Sequence, residues 1–144
     1  AARAAALFWP YHAAVGAGLA ALAVAGGPPA LVAIHSFTPV LAGRRRAVEV
    51  GVLWDTDARL AAPLLAGLRR MPGLVVGDNQ PYTGRSPVGF TVGYHAGRRG
   101  LPHVAIEVRQ DLLADAAGVA RWARLLAVAL ESILPAARTA PEPR

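Results

Sequence analysis

Apolar and polar positions along the chain follow two periods, and the places where the period changes mark the elements. Residues 3–25 are rich in Ala and Leu and predict a helix, which Gly26-Gly27-Pro28-Pro29 ends. Leu31–His35 is a short apolar run with β-branched members, read as a buried strand. Pro39 to Arg46 reads as a loop around Gly43. Val48–Trp54 alternates and then turns apolar, which suits a second strand. Asp55-Thr56-Asp57 forms a polar cap before a helix over 57–70, where Leu60, Leu64, Leu65 and Leu68 fall at helical spacing. Leu74–Val76 is a third strand.

Gly77 to Gly89 has no period at all, and a loop that long in a compact domain is usually functional or disordered. Phe90 to Arg99 reads as a short helix and His103–Val108 as a fourth strand. Residues 112–134 give the clearest amphipathic helix, carrying Leu113, Val119, Trp122, Leu126, Leu130 and Ile133 before Pro135 stops it. Strands alternating with helices predict an α/β domain over residues 1–134, with a mostly parallel or mixed central sheet flanked by helices. Residues 135–144 read as a flexible tail.

Composition narrows the chemistry. The 144 residues include no cysteine, which excludes disulfides, thiolate-bound zinc and thiol catalysis. Any metal must be held by His, Asp or Glu. All fifteen basic residues are arginine, and the absence of lysine removes Schiff-base chemistry and a P-loop. The formal charge of +6 is scattered and lacks a motif, so no nucleic-acid partner is expected. Ala13 to Ile34 has a membrane-like length, but Gly26-Gly27-Pro28-Pro29 interrupts it. A buried helix followed by a buried strand is expected there, with no membrane partner and a cytoplasmic location.

Two strand ends carry candidate chemistry. His35 follows Leu31-Val32-Ala33-Ile34, and Glu107 follows Val104-Ala105-Ile106. In open α/β sheets ligands bind at the carboxyl ends of strands, so the two could meet across one crevice. His35 could be a core histidine or a ligand for zinc. Glu107 in an apolar strand is costly unless paired or functional. It could serve as a general base, or join an ion pair with Arg109, which could itself pair with Asp111. Asp78-Asn79-Gln80-Pro81-Tyr82 reads as ordinary turn chemistry or as a substrate loop, with Asn79 and Tyr82 as donors. His95 reads as a surface histidine or a ligand for a substrate anion, and His103 as structural.

At these residues the chain resembles the N-formylglutamate amidohydrolase family. The resemblance is carried by Pro10-Tyr11-His12, Ala33-Ile34-His35-Ser36-Phe37-Thr38-Pro39, Arg46, Gly77-Asp78-Asn79-Gln80-Pro81-Tyr82, His95 and Gly100 through Arg109 with Asp111. Through that family the chain is also similar to the zinc-carboxypeptidase superfold, a hydrolase-like α/β arrangement. The resemblance implies His35 as a zinc ligand and Glu107 as the catalytic base. It implies that Arg109 acts in catalysis, and that Arg46, Asn79, Tyr82 and His95 bind substrate or polarise its carbonyl. The implied reaction is metal-dependent hydrolysis of an N-formyl or N-acyl amino acid, N-formylglutamate giving formate and glutamate. The alternative is a non-catalytic binding module of that family. The upstream motif that supplies the family's remaining metal ligands is absent, so the chain is expected to correspond to the C-terminal portion of the domain. Gln110 stands where the family usually shows Asn.

Overall fold

Alternation along one strand, His103–Arg109, sorts the molecule into two faces. Val104, Ile106 and Val108 point to one side of the sheet, and His103, Ala105, Glu107 and Arg109 to the other. The first set belongs to the apolar core and the second to a cleft. A computed structural model describes residues 2–85 and 90–135. The expected tail beyond Pro135 and the last part of the long loop, residues 86–89, lie outside the described residues.

In chain order, a π-helical turn at Ala4–Phe8 leads into α1 (Trp9–Gly26), then β1 (Leu31–Phe37) and a small antiparallel hairpin of β2 (Val40–Leu41) and β3 (Arg44–Arg45). There follow β4 (Val50–Leu53), α2 (Ala61–Arg69), β5 (Val76–Asp78), α3 (Phe90–His95), β6 (His103–Arg109) and α4 (Ala116–Glu131). The four-stranded sheet has the order β1-β6-β4-β5. β1 runs parallel to β6 and β4 parallel to β5, while β4 and β6 are antiparallel, so the sheet is mixed.

The core lies between the even-numbered residues of β6 and β4 and the two helices α2 and α4. Leu60, Leu64 and Leu68, together with Trp122 and Leu126, bury against Val50, Val52 and Ile106. Burying apolar side chains of this size contributes about 1.5–3 kcal/mol each. The expected helix over 112–134 is broken at its start. Gln110–Leu113 forms a 3₁₀ turn, and α4 begins after Asp115, whose carboxylate accepts the Gly118 N–H at 2.7 Å as an N-cap.

Two expectations of burial are corrected. Leu31–His35 is not a buried strand: β1 is at the sheet edge, with β6 its one neighbouring strand in this sheet among the described residues, and Ile34 is 58% exposed. Nor is the first helix buried. Only His12 and Leu19 of α1 are buried, since apolar residues surround the whole helix and give it no single inward stripe. Ala4–Gly26 is long and apolar enough to cross a membrane, with 11% of its most apolar window buried.

On the cleft face two glycines replace side chains. A Cβ at Gly51 would run into the Gln80 carbonyl, and one at Gly77 would come within 2.6 Å of the same oxygen. Their absence lets the loop after β5 lie down on the sheet beside Glu107. Gly51→Ala should therefore lift that loop and destabilise the fold by about 1–3 kcal/mol, as overpacking does. Urea denaturation measures the loss, and an unchanged midpoint would show that the loop does not rest on Gly51.

Candidate active site

Strand register assembles the site. In the parallel pair of β1 and β6, His35 stands opposite Glu107, and Phe37 opposite Arg109. Across β6, Glu107 stands opposite Gly51, which in turn pairs with Gly77. One row across the sheet thus reads His35, Glu107, Gly51, Gly77, with neighbouring strands about 4.8 Å apart. Two residues separated by half the chain become neighbours by backbone hydrogen bonding alone. Both line a cleft of about 150 Å³, together with Trp54, Asp55, Gly84 and His103.

Glu107 is the least satisfied group in this row. Its Oε2 is buried without a hydrogen-bond partner. Burial raises its carboxyl above the ordinary glutamate value of 4.5, while His35 and Arg46 pull it partly back. His35 is exposed at the edge strand, and so open to an incoming group.

Arg46 and Tyr82 meet beside this pair. The Arg46 guanidinium donates to the Tyr82 hydroxyl at 3.0 Å and to the Thr38 carbonyl at 3.4 Å. It also lies 5.4 Å from the Phe37 ring centroid and 4.9 Å from that of Tyr82. The hairpin of β2 and β3 delivers Arg46 and the loop after β5 delivers Tyr82, so the pair bridges two segments at the rim.

Asn79 holds the loop itself. It has a left-handed backbone, φ 50°, a conformation Asn tolerates well. Its Oδ1 accepts the Trp54 N–H at 3.0 Å and the Gly84 N–H at 2.8 Å. Gly84 has to be small, because a Cβ there would come within 2.6 Å of the Trp54 backbone.

Arg109 lies on the same face as Glu107, yet its donors are engaged elsewhere. Nε donates to Asp111 at 2.7 Å, and Nη1 to the carbonyls of Arg46, Ala47 and Val48 at 3.2, 3.0 and 3.2 Å. It fastens the segment leading into β4 and sets the path of the chain at Arg46. Hydrogen bonding to Arg109 is also the main reason the Asp111 carboxyl lies below its ordinary value.

His95 is not a surface histidine. It is 1% exposed, and its Nε2 lies 2.9 Å from Nδ1 of His12 on α1. Phe8, Phe90 and Tyr94 pack around this pair. Burial, then the neighbouring His12 and Arg99, hold the His95 ring below its usual pKa. The structure therefore brings His35, Glu107, Arg46 and Tyr82 together, and places Asn79, Arg109 and His95 in supporting positions. Asp55 and His103 line the cleft, although the sequence pattern reads Asp55 as part of a helix cap and His103 as structural. His103 shares the period-two face of Glu107, and that was the available signal.

A zinc site requires about three protein ligands plus an open position. Among the described residues no group of three or more His, Asp or Glu side chains is placed to hold a metal. His35 and Glu107 by themselves do not complete one.

Glu107 has a direct stability consequence. Its folded pKa lies above 4.5, so between those values the folded chain keeps a proton that the unfolded chain releases. Stability therefore falls as pH rises through that window. In metal-free buffer, Glu107→Gln should be more stable than the parent at about pH 7, and the gain should vanish at about pH 4. Urea denaturation at both pH values checks this, and an equal difference at both would remove the buried carboxyl as its cause.

No curated protein matches the chain significantly. The crystal structure of a gene product from Agrobacterium tumefaciens is similar, with 41% sequence identity and a TM-score of 0.78. The match covers 92% of this chain and 54% of that one, so the chain spans about half the length of its solved relative. A family model described as N-formylglutamate amidohydrolase matches residues 1–114. The chain belongs to the N-formylglutamate amidohydrolase family.

Proposed function

We propose that the cleft is the reaction site of an amide hydrolase acting on N-acyl amino acids, N-formylglutamate being the substrate that the family's name supplies. The observation that supports this most is the half-buried Glu107 carboxylate, with a buried, unpartnered Oε2, raised in pKa and directly across a strand pair from His35. A carboxylate of raised pKa is suited to take a proton from an attacking water near neutral pH and return it to the leaving nitrogen. The Arg46–Tyr82 pair offers a guanidinium and a hydroxyl at the rim, where a substrate carboxylate can be bound. Arg109 serves by fixing the backbone that carries Arg46, and Asn79 by fixing the loop that carries Tyr82.

Zinc, which the family resemblance implies, would take His35 as a ligand together with donors from outside the described residues. The described donors are too few to complete that site, and no step above is routed through it. The same shortage favours a second reading, a binding module that keeps the substrate cleft without turnover.

The test is hydrolysis of N-formylglutamate and related N-acyl amino acids, followed by formate release, with zinc added or chelated. Glu107→Gln should lower kcat by roughly 10²- to 10⁴-fold, the usual contribution of a general base, with substrate binding largely kept. Near-parental turnover in that variant would remove Glu107 from the role. Unaltered binding with no turnover in the parent would establish the binding-module reading.

A further inference from the structure

One row along the sheet from Glu107 and His35, the cleft face carries Ala33 on β1 paired with Ala105 on β6. Each alanine stands two residues down its strand, about 7 Å away, on the same side of the sheet. Helix α3 roofs this row. Its Val92, 7% exposed, packs with Leu53, Ala105, Leu31 and Ala33 in one apolar cluster. Because the floor of the row is two methyl groups, the cluster does not close against His35. A cavity of about 70 Å³ is left there, lined by Ala33, His35, Phe90, Thr91, Val92 and Ala105. It shares His35, Val92 and Ala105 with the main cleft.

The place of this cavity decides which part of a substrate it receives. The rim cation lies on the other side of His35: Arg46 sits over Phe37, two residues further along β1, and bonds Tyr82. With an amino-acid carboxylate at Arg46 and the scissile amide at Glu107, the substituent on the acyl carbon points back along β1 toward Ala33. A formyl group has only a hydrogen there and leaves the cavity unfilled. A water occupies about 30 Å³ of liquid, and a methyl or methylene group is about as large, so the cavity holds about two carbons. Its lining suits them. Four of the six residues are apolar, which gives a water few partners and an alkyl chain many.

We propose that this cavity over Ala33 and Ala105 is an acyl pocket, and that the site takes N-acetyl and N-propionyl amino acids as well as N-formyl ones, binding the longer acyl groups more tightly. Hydrolysis breaks the C–N bond and joins the water oxygen to the acyl carbon. The water's proton passes through Glu107 to the leaving nitrogen, and acetate or propionate takes the place of formate as product. The pocket rests on the hydrolase reading only in placing the amide at Glu107.

Isothermal calorimetry on the whole chain tests it with the N-formyl, N-acetyl, N-propionyl and N-hexanoyl derivatives of L-glutamate. Affinity should rise about fourfold from formyl to acetyl and again to propionyl, the effect of burying one carbon at each step. The N-hexanoyl compound, too long for the cavity, should bind no tighter than the N-propionyl one. Ala33→Leu fills the cavity, and should flatten the series while keeping the N-formyl affinity within about twofold. Val92→Ala deepens the cavity, and there the N-hexanoyl compound should overtake the N-propionyl one.

Equal affinities across the series in the parent, or tightest binding of the N-formyl compound, overturn the pocket. So does failure of all four ligands to bind, or a series that neither variant changes. Where Ala33→Leu does not fold, Val92→Ala decides alone. Release of formate, acetate and propionate from the same ligands separates the pocket from the hydrolase reading. A rising affinity series without release keeps the pocket and removes the hydrolase, and formate release with a flat series does the reverse.

Discussion

The site depends on one parallel ladder, the register of β1 against β6. Those backbone hydrogen bonds set His35 opposite Glu107, and Phe37 opposite Arg109. A slip of one residue would send every side chain of the moved strand to the opposite face. It would place Ile34 or Ser36 on the cleft and His35 against the core. The core favours the correct register, because Val32 of β1 packs against the cluster that includes Val104, Ile106 and Val108 of β6. Apolar packing on one face of the sheet thus holds the chemistry on the other.

The cleft face is assembled with unusual restraint in side-chain volume. Glu107 has Gly51 beside it, and Gly51 has Gly77, so the loop carrying Asn79 and Tyr82 rests directly on the sheet. Leaving a buried polar atom unpaired costs about 1–3 kcal/mol, and Glu107 Oε2 carries that cost in the free protein. An incoming water or substrate group can relieve it, which makes occupancy of the cleft favourable. Arg109 contributes from behind: by tying Arg46, Ala47 and Val48 to Asp111 it turns three carbonyls into one anchor, and the Arg46 side chain emerges at a fixed place beside Tyr82.

The strand-end pair was legible in the sequence because an apolar run ending on a polar residue has few physical explanations. The α/β class and the core leucines of α2 followed from periodicity in the same way. Other features depended on tertiary paths that local pattern does not encode. The position of β1 at the sheet edge followed from strand order, so its apolar run alone suggested burial. His95 reads as polar and short-range, yet α1 folds over it and supplies His12 as its partner. The role of Arg109 turns on where the chain runs between the hairpin and β4, which spacing cannot give. Asp55 and His103 looked like a helix cap and a structural histidine. Asp55 does bond nearby N–H groups as a cap would, and it also lines the cleft.

The most direct measurement of the central claim is the titration of the Glu107 carboxyl by carbon-13 NMR, in the parent and in His35→Ala. A raised value in the parent, above the ordinary 4.5, is expected, with a further rise when His35 is removed, because His35 pulls the carboxyl down. An ordinary value that does not respond to His35 would mean that the two side chains do not share one site.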